Sequence, residues 1–143
     1  MANEIKAVLR QTSPSTSEAT MGKHKVLVDR PSQKGGADLG PMGGELFLSS
    51  IGGCFMSNLL AAIKARGAEI SDVRAEVTGT IVDSPARFSA VDVSVTANGG
   101  SQELLEHLLT IADRGCIMMN TLRDKVPVTI RIGTAPLHST PTV

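Results

Sequence analysis

The sequence predicts an α+β domain in which helices pack on mostly antiparallel sheets, in the order βββ-α-ββ-αα-β. Short segments of alternating apolar and polar residues occur near the start, in the middle and near the end of the chain. A long segment with apolar residues at helical spacing follows the first group, and a second helical segment follows the middle pair. We expect one domain over residues 1–133 and a flexible Pro/Thr-rich tail over residues 134–143.

The opening third of the chain predicts a three-stranded meander followed by a long loop. The strands are expected at residues 5–11, 18–21 and 23–29. Residues 31–44 contain five glycines among fourteen residues, and a loop of this length is often functional. The glycines could offer backbone N–H groups to an anion, but the loop lacks both the Gly-Lys-Ser/Thr ending and the GxGxxG pattern of phosphate-binding loops.

Residues 45–66 are predicted to form the long helix around which the other elements are arranged. The segment is apolar on more than one face, so we expect it to be buried on several sides. Gly52 and Gly53 each cost about 1 kcal/mol relative to Ala in a helix interior. Close packing of another backbone, or access to the Cys54 sulfur, would offset this cost. Gly67 is the expected C-terminal stop of the helix.

The second half of the chain predicts a hairpin, a pair of helices and a last strand. These elements are expected at residues 73–82, 88–97, 101–115, 116–122 and 126–132. The first hairpin strand alternates, which predicts that Ile81 shares one face with its other apolar residues. Ser101 is a suitable N-cap for the helix that follows it.

Composition argues against several classes of function. Fourteen basic residues balance fourteen acidic ones, and the chain has no Trp or Tyr, so it lacks the features of nucleic-acid binding. The longest apolar run, residues 51–63, has 13 residues, fewer than a bilayer span needs, and the N-terminus lacks the order of a signal peptide. Three scattered histidines and no CxxC motif give no zinc pattern. We therefore expect a cytoplasmic protein with no nucleic-acid, membrane or metal partner.

The two cysteines are the candidate chemical groups. Cys54 lies in the middle of the predicted long helix, and Cys116 follows 62 residues later in the second helical segment. In a reducing compartment such cysteines are more often free or redox-active than a structural disulfide. A buried Cys in an apolar helix is, however, usually an inert small hydrophobe. Their positions alone leave a packing role and a redox role open.

Four motifs, taken in order, resemble the OsmC/Ohr family of osmotically induced and organic hydroperoxide resistance proteins. They are Gly35-Gly36-x-Asp38-x-Gly40-Pro41, Glu45-Leu46-x-Leu48, Gly52-x-Cys54, and Cys116 followed by Asn120-Thr121-Leu122. The resemblance covers about residues 5–132 and indicates the broad OsmC-like subgroup rather than the Ohr branch.

The resemblance implies an intertwined homodimer with the long helices buried at its centre. It also implies an antioxidant, stress-response activity that needs no metal or organic cofactor. Cys54 matches the family's peroxidatic cysteine, whose thiolate attacks an organic hydroperoxide and becomes a sulfenic acid. Cys116 matches the resolving cysteine, which condenses with it to a Cys54–Cys116 disulfide. An external dithiol of the lipoyl type then reduces the disulfide.

In the family's peroxidases an Arg and a Glu flank the reactive sulfur. Here the Arg position falls near Gln33, so Arg30 or Lys34 is the candidate cation. The Glu position falls at Gly44, so the adjacent Glu45 is the candidate acid. A buried cysteine without a cationic neighbour keeps a pKa near or above about 8.5. The alternative function is therefore a catalytically weak dimer that acts as a small-ligand-binding or stress-associated protein.

Overall fold

A computed structural model of the chain describes residues 2–133, and the predicted tail at residues 134–143 lies outside them. The elements are β1 (Val8–Gln11), β2 (Ser17–Met21), β3 (His24–Val28), α1 (Gly43–Ala65), β4 (Ser71–Val82), β5 (Arg87–Asn98), α2 (Gln102–Gly115), α3 (Ile117–Leu122) and β6 (Val128–Ile132). Their order confirms the predicted α+β class. The fold divides into two compact units, one ending at Phe47 and the other beginning at Leu48.

The first unit contains the predicted meander. β2 pairs antiparallel with both β1 and β3, so the sheet order is β1-β2-β3. β1 begins later than expected, at Val8, and Ile5 is almost fully exposed. The loop after β3 contains a single 3₁₀ turn, Ser32–Lys34, before α1 begins.

A buried carboxylate, Asp29, organises this loop. It accepts a hydrogen bond from the Thr16 hydroxyl at 3.0 Å and from the backbone N–H groups of Arg30 at 2.7 Å and of Ala37 and Leu39 at 3.2 Å. Burial by itself would raise the pKa of Asp29, but these hydrogen bonds outweigh it and lower the pKa from 3.8 to about 2. The carboxylate is therefore a charged anchor for the loop.

Two glycines let the loop lie directly against the end of β3. A Cβ atom at Gly36 would collide with the Arg30 carbonyl, and one at Gly40 would collide with the Leu27 carbonyl. Close backbone packing accounts for both glycines, which the sequence alone left open as possible anion-binding groups.

The second unit is built on the sheet β4-β5-β6, with β4 antiparallel to β5 and β6 parallel to β5. The central strand buries Val91, Val93 and Val95, as its alternation predicts. α2 contributes a buried stripe from one face, comprising Leu105, Leu108, Leu109 and Ala112. These side chains form the aliphatic core that the near absence of aromatic residues requires.

The hairpin strand β4 departs from its expected alternation near its end. The pairing of β4 with β5 shifts register between Thr80 and Ile81. The extra residue at this point, Ser89, lies in β5. Ile81 is 65% exposed, so burial does not follow the predicted alternation at this end of the hairpin.

α1 presses closely on the sheet at Gly52. A Cβ atom there would lie 2.9 Å from Val77 Cγ2 on β4, so the missing side chain allows the helix to approach the strand. The packing partner is a side chain rather than the second backbone that we expected. Gly53 is exposed, and nothing in the structure explains why this residue is a glycine. Gly67 has φ +56° and ends the helix as predicted.

By length and composition α1 could also cross a membrane. It has 23 residues, and an 18-residue window of it has a mean hydropathy of 1.7. The helix extends on both sides of the apolar run at residues 51–63, which is why the run alone looked too short. The core helix of a soluble protein passes the same test, and α1 buries Ile51, Phe55 and Leu59 inside the chain. The helix is thus weak evidence for a membrane span.

We predict that Asp29 makes the protein sensitive to acid. Because its folded-state pKa of about 2 lies below the unfolded value of 3.8, the carboxylate stabilises the fold above pH 3.8, and this stabilisation is lost as the pH falls towards 2. Asp29→Asn should lower stability at neutral pH and remove part of the loss between these two pH values. Urea unfolding measured at several pH values tests this, with Asp83→Asn in the exposed β4–β5 turn as the control. Equal acid dependence in wild type and Asp29→Asn would contradict the assignment.

Candidate active site

A break between two helices positions Cys116. Ser101 caps the start of α2 as predicted, accepting a hydrogen bond from the Leu104 N–H at 3.0 Å. The helix ends at Gly115, and Cys116 follows with an extended backbone and donates its N–H to the Asp113 carbonyl. α3 begins at the next residue. Cys116 is thus the single residue between the two helices, and its side chain is fully buried.

Polar side chains hold this junction from the α3 side. The Asn120 amide donates to the Arg114 carbonyl at 3.0 Å. Arg123 donates to the Asn120 side-chain oxygen at 3.0 Å and forms an ion pair with Asp113 at 3.3 Å. The network connects α2 with α3, and so it restrains the junction that carries Cys116.

The structure brings the two predicted cysteines together. Cys54 is half-buried on α1, and the Cys116 thiol donates a hydrogen bond to its sulfur. Both are free thiols. Both cysteines belong to the second unit, so the contact between them lies within one unit.

The surroundings of the two sulfurs give them opposite acidities. Burial raises the pKa of Cys54, but hydrogen bonds from the Met118 N–H, the Cys116 thiol and the Ile117 N–H outweigh it and lower the pKa below 9.0. Burial also raises the pKa of Cys116, and the hydrogen bond to Cys54 and the charge on Cys54 raise it further, against the opposing N–H groups of Met119 and Met118. Cys54 therefore ionises first and is the better nucleophile of the pair.

Hydrogen-bond donors, rather than a cation, lower the pKa of Cys54. The groups that lower its pKa are backbone N–H groups and a thiol, and their identity cannot be inferred from residue types. Asn58 was also missed. It follows Cys54 by one helical turn, and its amide donates to the Cys54 carbonyl at 2.9 Å. An amide side chain in a strongly apolar helix segment was the available signal.

The other predicted site residues lie in the first unit, where the structure shows their local contacts. The Glu45 carboxylate accepts a hydrogen bond from the Met42 N–H at 3.0 Å and so caps the start of α1. Arg30 and Lys34 are exposed and line an open cavity of about 480 Å³, together with Ser15. The predicted roles of Arg30 and Glu45 towards Cys54 stay predictions.

No cluster of three or more His, Cys, Asp or Glu side chains that could hold a metal ion occurs within residues 2–133. The two sulfurs, their hydrogen-bond donors and the junction network therefore make up the site that the structure describes.

Comparison with known proteins gives a family match and a set of similar folds. The OsmC-like protein family matches residues 35–131. An OsmC-like protein from Mycoplasma pneumoniae has a TM-score of 0.77 at 16% identity, covering 93% of this chain and 100% of that one. Organic hydroperoxide resistance proteins from Legionella pneumophila (TM-score 0.69, 21% identity, 93% and 98% coverage) and Elizabethkingia anophelis (0.71, 23%, 94% and 99%) are also similar. No curated protein matches the chain.

We predict that the Cys116 thiol proton helps to ionise Cys54. Cys116→Ala removes the donor, whereas Cys116→Ser keeps an O–H that can donate, so the pKa of Cys54 should be higher in the Ala variant. The rate of iodoacetamide alkylation, measured against pH in both single-cysteine variants, reports the pKa. Identical alkylation profiles would show that the Cys116 side chain does not stabilise the thiolate.

Proposed function

The chain belongs to the OsmC-like protein family, and on this premise we propose that it is a thiol-dependent peroxidase that reduces organic hydroperoxides. The observation that carries the proposal is the arrangement at Cys54, whose sulfur receives hydrogen bonds from two backbone N–H groups and from a second thiol. Similar folds named as organic hydroperoxide resistance proteins add support for a stress-response role.

The proposed cycle starts at Cys54. Its thiolate attacks one oxygen of the peroxide, the O–O bond breaks, and the departing alkoxide takes a proton and leaves as an alcohol. Cys54 is thereby oxidised to a sulfenic acid. The Cys116 sulfur then attacks the Cys54 sulfur and expels hydroxide, which takes up the Cys116 thiol proton and leaves as water. A disulfide remains.

An external dithiol closes the cycle. One of its thiolates attacks the Cys54–Cys116 disulfide, its second thiol resolves the mixed disulfide, and the external dithiol is oxidised to its own cyclic disulfide. Both protein thiols are returned in reduced form. A lipoyl-type dithiol is the reductant that we propose.

The acidities of the two cysteines support this division of roles. A nucleophile needs a lowered pKa, and the pKa of Cys54 is lowered. A resolving cysteine can stay protonated until the sulfenic acid forms, and the pKa of Cys116 is raised. Cys54 is also the more exposed of the two, so a peroxide reaches it first.

A second candidate function is a catalytically weak dimer that binds a small ligand or acts in stress. The observation in favour of this second function is that Glu45 caps a helix, because the family's acid would have to hold a cation instead.

Under the peroxidase proposal, Cys54 and Cys116 carry the chemistry, and Arg30 and Glu45 are residues that support it.

We further propose a cytoplasmic homodimer of single-domain chains. α1 is apolar on several faces, yet only 33% of its most apolar window is buried within the chain. Leu60, on this helix, remains 49% exposed. A second copy of the chain would cover this apolar surface.

Peroxide treatment tests the chemistry. Stoichiometric cumene hydroperoxide should remove both free thiols and lower the intact mass by about two units, because a disulfide forms. Cys54→Ser should abolish the change. Cys116→Ser should instead leave Cys54 as a sulfenic or sulfinic acid, which raises the mass. Unchanged thiols in the wild type would refute the peroxidase and leave the ligand-binding function.

Sedimentation analysis tests the dimer. We predict that Leu60→Lys raises the dissociation constant by about tenfold or more, because burying an unpaired charge is costly. Ile81→Lys, at an exposed apolar position on β4, is the matched control and should leave association unchanged. A monomeric wild type at micromolar concentration would contradict the dimer.

A further inference from the structure

Asn58 touches both segments that carry the cysteines. It lies on α1, one turn after Cys54, and is half-buried. Its amide nitrogen donates to the carbonyl of Cys54 at 2.9 Å. This bond fixes the orientation of the Asn58 amide, and the amide oxygen takes no part in it.

That oxygen lies against the residue before the second cysteine. A methyl group placed on Gly115 would be 2.9 Å from Asn58 Oδ1 and 3.6 Å from Asn58 Cγ. Gly115 is the last helical residue of α2, and the positive-φ glycines of the described chain do not include it. Its missing side chain is thus used for this close approach rather than for an unusual backbone conformation.

A second amide restrains the same segment. Asn120 donates to the carbonyl of Arg114, the residue before Gly115. The chain leading to Cys116 is therefore hydrogen-bonded by Asn120 and approached by Asn58. The Asn58 side chain acts as a spacer between the helix of Cys54 and the junction of Cys116.

We propose that Asn58 is the positioning residue that sets the approach of the Cys116 sulfur to the Cys54 sulfur. This deepens the proposed function and rests on it. A disulfide forms only within a narrow range of Cβ–Cβ separations. A misplacement of about 1 Å can slow a positioned reaction by about a hundredfold. Asn58 therefore governs how readily the two thiols join.

The first test needs no peroxide. Reduced protein is equilibrated with glutathione and glutathione disulfide, so that one glutathione disulfide oxidises the two thiols and releases two glutathiones. We expect Asn58→Ala to lower the equilibrium constant for the Cys54–Cys116 disulfide by about tenfold, because the two segments lose their spacer. Thr110→Ala is the matched control. Thr110 donates to the Glu106 carbonyl four residues back at 3.1 Å, the same kind of contact on α2, and this variant should match wild type.

Gly115→Ala tests the contact from the other side and keeps the proposal falsifiable if Asn58→Ala does not fold. The added methyl group displaces the Asn58 amide, so this variant alone should also lower the equilibrium constant. In the Asn58→Ala background the same change should have little further effect, because the group it displaces is absent. Values within twofold of wild type for both single variants, or fully additive effects in the double variant, would overturn the proposal.

Peroxide is then added to separate the two proposals. Once the Cys54 sulfenic acid has formed, Asn58→Ala should close the disulfide more slowly than wild type, and so accumulate sulfinic acid. A wild type that forms the disulfide with glutathione but does not react with cumene hydroperoxide would refute the peroxidase alone. An Asn58→Ala variant that forms the Cys54–Cys116 disulfide as fast as wild type would refute the positioning role alone.

Discussion

The helix break at Cys116 is the constraint on which the site depends. The first N–H groups of any helix have no partner within it. Because α3 starts directly after Cys116, the N–H groups of Ile117 and Met118 are available in the same place as the second thiol. All three groups donate to the Cys54 sulfur. A continuous helix through this region would place those N–H groups in backbone hydrogen bonds and would leave the sulfur in an apolar site.

This arrangement lowers the pKa of the Cys54 thiol without requiring a cation in the second unit. Desolvation opposes ionisation of both cysteines, but the hydrogen-bond donors favour the thiolate at Cys54, whose charge in turn opposes ionisation at Cys116. The pair is therefore asymmetric, because the Cys54 thiol is more acidic than the Cys116 thiol. In the first unit, the buried Asp29 carboxylate accepts hydrogen bonds from backbone N–H groups of the loop that it anchors.

The sequence predicted the order and type of the elements well, because their periodicity is local. The buried valines of β5 and the Ser101 cap followed from spacing alone. Pairing Cys54 with Cys116 required the family resemblance, since 62 residues separate them. The register shift before Ile81 and the contact of Asn58 with Gly115 could not be predicted, because each depends on a partner segment that is remote in sequence. Two of the three donors to Cys54 are backbone N–H groups, which no residue type reveals.

The glycines near the site show how the position of the Cys54 sulfur is fixed. Gly52 sits in a helix interior, where it costs about 1 kcal/mol relative to Ala, and Gly115 is the last residue of α2. At Gly52 the cost is offset by close packing of α1 on Val77, and at Gly115 the missing side chain allows the approach of Asn58. Cys54 lies on α1 between these two points of contact, Gly52 and Asn58. The helix is therefore held against the sheet on one side of the sulfur and against the α2–α3 junction on the other, and this leaves the sulfur little freedom to move away from its donors.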